Sequence, residues 1–138
     1  MREVDELLLA VEGIRESPDY TRVECPPYCS VGEIGALYRS VAILCIQKEI
    51  NRLLIISSNA DPAGPQALRD SFTMMLLAGL PRGFRVALVG STPTVLHAYE
   101  TAHRDLRAAK VDAGLFDAEK GAVHWLGRPN ARLLEHSI

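Results

Sequence analysis

The chain reads as an α/β domain: a mixed sheet of about five strands covered by about four helices. Three observations lead there. Residues 52–56, Arg-Leu-Leu-Ile-Ile, form a continuous apolar run of the length of a central parallel strand. Residues 84–90 form a second such run, which breaks at Gly90 into Ser91-Thr92-Pro93-Thr94, the opening of a helix. Residues 113–116 give a third, followed by a helical segment carrying Ala122-Val123-His124-Trp125-Leu126. Strand, helix, strand with short joints implies parallel pairing, because a parallel neighbour is reached only by a crossover.

Taken in order, Val4, Leu7, Leu8, Val11 and Ile14 fit a helical stripe, while 7–11 also fit a buried strand. A hairpin of two strands is preferred here, with Ser17-Pro18-Asp19 as its turn and 20–24 as its second strand. Pro26 and Pro27 stop that strand. Ser30-Val-Gly-Glu33 is a capping box, opening a helix with Ile34, Leu37, Tyr38, Val41, Leu44 and Cys45 on one face, to about Asn51. After the 52–56 strand, 57–64 is a polar loop, and Pro65 sits in the first turn of the next helix. That helix runs to about Leu80, where Gly79, Pro81 and Gly83 end it. The helix after Gly90 turns Val95, Tyr99, Ala102, Leu106 and Ala109 inward. Strand 112–116 follows, and Asp117 is expected to cap the last helix, with Trp125 and Leu126 inside and Gly127-Arg-Pro as its end. One domain is expected over 1–128, with a polar tail at 129–138.

Composition narrows the function classes. The 138 residues are 48% apolar, enough for a core and against wholesale disorder. Net charge is −2 and no Lys/Arg-rich run occurs, which argues against a dedicated nucleic-acid binder. Three cysteines in a chain with no secretory pattern read as reduced thiols. The longest strongly apolar run, 72–80, is about half of what a membrane span needs. A soluble, cytoplasmic protein of bacterial-type composition is expected.

The element order β-β-α-β-α-β-α-β-α, the capping box at Ser30, the helix leading into Arg52-Leu-Leu-Ile-Ile, the strand Arg85-Val-Ala-Leu-Val-Gly and the pattern Leu115-Phe-Asp…Ala-Val-His-Trp-Leu126 together carry a resemblance. From about residue 20 to 126 the chain resembles the STAS and SpoIIAA-like group, the fold of bacterial anti-sigma-factor antagonists. The Phe-Asp strand end followed by a helix with Trp-Leu resembles the SpoIIAA-like branch in particular. The resemblance implies a regulatory domain that binds a protein partner. In members that act as antagonists, it also implies a phosphoacceptor in an Asp-Ser-Ser-Gly-like motif after the central strand. The segment here, Ser57-Ser-Asn-Ala-Asp-Pro-Ala-Gly64, departs from that motif. A carrier of a small apolar or lipid ligand is the alternative function, from analogy with related folds.

Candidate contact residues lie at strand ends, where open α/β sheets bind ligands. Ser57, Ser58, Asn59 and Asp61 offer hydroxyls, an amide and a carboxylate in one loop. Ser91 and Thr92 lie at a helix N-terminus, which favours an anion, although the same residues serve as an ordinary cap. No nucleotide fingerprint follows. On the 66–80 helix the apolar surface is wider than one stripe, and Phe72, Met74, Met75 and Leu77 are candidates for self-association, for one wall of a ligand pocket, or for plain core.

Other clusters point less clearly to chemistry. Cys25-Pro-Pro-Tyr-Cys29 has three intervening residues rather than the two of a redox pair. His97 and His103 are not at metal-ligand spacing. Glu100, His103 and Arg107 share a helix but read as a solvated surface. No metal or cofactor is expected, and no catalytic residue is assigned. The expectation is a non-catalytic interaction domain with an unidentified protein partner, and with self-association through the 66–80 helix.

Overall fold

The structure, a computed structural model, describes residues 13–128. The strands are β1 (Ile14–Glu16), β2 (Thr21–Cys25) and, from the three apolar runs, β3 (Arg52–Ser57), β4 (Arg85–Gly90) and β5 (Asp112–Phe116). They stand in chain order in one sheet; β1 is antiparallel to β2 and every later pair is parallel. The hairpin is present, with β1 at Ile14–Glu16 as its first strand. The expected first strand at 7–11 lies outside the described residues.

Helices α1 (Val31–Lys48), α2 (Ala63–Ala78) and α3 (Pro93–Ala108) are the crossovers between the parallel strands. Crossovers of one hand between sequential neighbours must land on one face of the sheet. There Ile34, Leu37, Leu68, Phe72, Val95 and Leu106 pack on Val23, Leu53, Ile55, Val86 and Leu88. The last helix, α4 (Glu119–Leu126), is the one helix on the other face among the described residues, over Leu54, Ile56, Ala87 and Val89. β4 is buried along its whole length, as a central strand roofed on both sides should be.

The local signals behave as chemistry dictates. Ser30 Oγ accepts from the Glu33 amide at 3.2 Å, and Glu33 accepts from the Ser30 amide at 3.2 Å, completing the capping box. α1 ends at Glu49, in the left-handed conformation (φ 52°), short of the expected Asn51. α2 ends at Gly79 (φ 92°), which a side chain would strain. α3 ends before Ala109, which is exposed rather than inside.

Asp117 is not the cap of α4: that position falls to Ala118, whose side chain has no oxygen to offer. The far end of α4 is held instead by cations. Arg52 Nε donates to the Leu126 carbonyl at 3.1 Å, and Arg85 Nη1 to those of Trp125 and Arg128, each at 3.0 Å. Positive charge at a helix C-terminus opposes the negative end of its dipole. Leu126 is buried as expected, whereas Trp125 is half-buried, tilted against Phe116 and over Arg85.

Candidate functional site

The carboxyl ends of β2, β3 and β4 finish level, with Cys25 beside Ser57 and Ser57 beside Gly90. The chain leaves each strand without losing the sheet's bonding pattern. The Ser58 amide donates to the Cys25 carbonyl at 3.0 Å, and the Ser91 amide to that of Ser57 at 3.1 Å. Three loops therefore meet at this end: 26–30, 58–62 and 91–92.

The 58–62 loop folds on its own polar groups. Ser57 Oγ donates to the Asn59 carbonyl and accepts from the Asn59 amide, both at 3.2 Å. Asn59 Oδ1 accepts from the Asp61 amide at 2.9 Å, and Asp61 Oδ1 from the Ala63 amide at 2.9 Å. The Asn59 amide nitrogen reaches the carbonyls of Pro26, Pro27 and Cys29 at 3.3–3.4 Å, tying the two loops together. Ser57 and Asn59 are buried in this work, Ser58 is partly covered, and Asp61, Ser91 and Thr92 are exposed. Thr92 Oγ accepts from the Val95 amide at 3.3 Å, the ordinary cap of α3. A Cβ on Gly90 would come within 2.7 Å of the Leu96 backbone nitrogen, so glycine lets α3 start hard against the strand end.

Beneath the loops lies a buried polar knot. The hydroxyls of Tyr38 and Tyr99 meet at 2.7 Å, and the Cys25 thiol sits against Cys29, Ser57 and Tyr38. Burial dominates the electrostatics. It pushes the Cys25 thiol up to about 12 and raises that of Cys29. It also pushes Tyr99 up to about 12, against the lowering effect of Ser57 and Tyr38, and holds Tyr38 well above its ordinary value. These groups stay protonated at neutral pH, so the knot packs and bonds as neutral matter. Among the described residues, no group of three His, Cys, Asp or Glu side chains could hold a metal ion, and all three cysteines are free thiols.

The loop 26–30 adds what sequence reasoning passed over. Tyr28 is 78% exposed and Val31 60% exposed, on either side of the buried Cys29. A tyrosine after two prolines, at a bend, was the available signal. The Tyr38–Tyr99 pair was signalled only by two tyrosines on otherwise apolar helix stripes.

The remaining candidates separate. On α2, Phe72 and Met75 belong to the core of the same chain, while Met74 and Leu77 face outward, Leu77 at 86% exposure. On α3, Glu100 pairs with His97 at 3.4 Å, whereas His103 and Arg107 both turn to the Ala113 carbonyl at 3.0 Å. No helix among the described residues is long and apolar enough to cross a membrane. No family model, curated protein or solved structure matches the chain.

Proposed function

We propose that the chain is a non-catalytic regulatory or interaction domain of the STAS and SpoIIAA-like type, which docks a protein partner on its strand-end face. The observation that carries this reading is the exposed pair Tyr28, on a loop that Asn59 pins by three carbonyls, and Val31, the first residue of α1 just after it. A rigid aromatic with a polar surround is the usual anchor of a protein interface, because it gives much contact area for little lost freedom. Asp61, Ser91 and Thr92 are exposed polar residues in the loops at the same strand ends. The protonated state of Cys25 and Tyr99 supports binding over nucleophilic chemistry at this end.

Regulation by phosphorylation fits Ser91, which is exposed at the rim, and not Ser57, which is buried. A phosphoryl group there would add about −1.5 to −2 charges to the face.

The test is affinity capture from a cell extract with the wild-type chain and with the Tyr28→Ala and Val31→Asp variants. A protein recovered by the wild type and lost with both variants supports the reading. Identical recovery by all three sinks it.

A further inference from the structure

At the opposite end of the sheet is a cleft of about 400 Å³. Asp19 and Tyr20 of the β1–β2 turn form one side, Val123, Leu126 and Arg128 the other, with Arg52 lining it as well. Its size falls in the range of small-molecule sites, ~300–1,000 Å³.

Arg52 is the telling group. It starts β3 directly beside Arg85, which starts β4. Arg85 has a carboxylate, Asp112 Oδ2 at 3.0 Å, and the face of Trp125. Arg52 has neither. Its Nε and Nη1 donate only to carbonyls, those of Leu126, Asn51 and Gly83. Clamping α4 occupies Nε, and the joints before β3 and β4 occupy Nη1, but Nη2 makes no hydrogen bond among the described residues. Burial and the neighbouring Arg85 charge both disfavour its cationic form, with Asp112 only partly opposing them. Arg128 adds a second cation at the rim, and Asp19 is the one carboxylate among the lining residues. No ion pair joins Asp19 to either arginine among the described residues. A guanidinium with an open donor next to apolar walls suits a ligand with an acidic head and a short apolar body.

We propose that this cleft binds a small amphipathic anion, with its carboxylate or phosphate on Arg52 Nη2 and Arg128 and its apolar part against Tyr20, Val123 and Leu126. The site is separate from the strand-end face and does not depend on the reading given for it.

The experiment is a nitrogen-15 NMR titration of the full chain with benzoate, phenyl phosphate, inorganic phosphate and benzyl alcohol. Benzoate or phenyl phosphate should shift the amides of 19–20, 52 and 123–128 saturably, and more weakly as salt rises. Arg52→Gln should weaken that binding by about tenfold or more. Because this change also loosens α4, Arg128→Gln and Val123→Phe serve as independent variants. The first removes a charge that makes no side-chain bond among the described residues, and the second fills the cleft; both should weaken binding. Absence of saturable shifts with either organic anion overturns the proposal. So does binding that all three variants leave intact, and so does equal binding of inorganic phosphate or benzyl alcohol.

Discussion

Arg85 and Trp125 meet twice: the guanidinium carbon lies 4.8 Å from the indole ring centroid, and Nη1 donates to the Trp125 carbonyl at 3.0 Å. One side chain thus holds both the backbone end and the ring of α4, while Asp112 holds the same guanidinium from the other side. The helix is only eight residues long and has no side-chain cap at its start, so its stability comes from these tertiary contacts.

Trp125→Ala should therefore lower stability by about 2–4 kcal/mol, from lost ring area and the lost cation–π contact. Trp125→Phe should cost about 1 kcal/mol, since an aromatic face remains. Urea unfolding followed by circular dichroism measures both. Equal losses for the two variants would show that the ring face is not what matters.

The Tyr38–Tyr99 bond predicts coupling. Tyr38→Phe and Tyr99→Phe should each cost about 1–2 kcal/mol, because each leaves a buried hydroxyl short of a partner. The double variant should cost less than the sum, since no orphan of that pair remains. Strict additivity in a double-mutant cycle would refute the pairing.

Alkaline pH should weaken the fold. The Cys25 thiol ordinarily ionises near 9.0 and in the folded chain only at about 12. Below the ordinary value both states keep the proton, and this group contributes no slope. Between the two values the unfolded chain releases it and the folded chain retains it, so stability falls as pH rises. Cys45, also pushed up to about 12 by burial, adds to the same slope. At pH 8 the native cysteines should react with iodoacetamide far more slowly than in urea, as read by intact mass. Equal rates in the two conditions would contradict the burial.

Leu77→Glu should leave stability within about 0.5 kcal/mol, because the side chain touches little in the single chain. If the outward face of α2 is where two copies meet, the same change should make a dimer monomeric in sedimentation velocity. A wild type that is monomeric at high concentration removes self-association as a role for Met74 and Leu77.

Gly90→Ala should destabilise by about 1–3 kcal/mol, since its Cβ meets the Leu96 backbone, which cannot swing aside. Thermal unfolding reports it.

Much of this architecture was written in short-range patterns. The run 52–56 and the run 84–90 could only be central strands, and Ser30 with Glu33 marks a helix start whatever the rest of the chain does. Distant partners hid the rest. β1 is three residues long and exists through its pairing with Val23, Arg22 and Thr21, so no periodicity announces it. Ser57 and Asn59 look like free polar groups in a loop until Pro26, Pro27 and Cys29 arrive from thirty or so residues upstream. Asp117 is a better cap than Ala118 by composition, but the turn after β5 fixes which residue stands at the helix start. On α2 the helical phase divides Phe72 and Met75 from Met74 and Leu77, a division the wide apolar run blurs.

The order of the strands bears on how the molecule is made. From β2 onward each strand docks on the one synthesised just before it, so a chain emerging from the ribosome can extend its sheet from one edge without waiting for a remote segment. The second face is different. Leu54, Ile56, Ala87 and Val89 lack the cover of α4 until residues 119–126 come out, and a nascent chain stopped short of them offers that apolar surface to a chaperone or another copy.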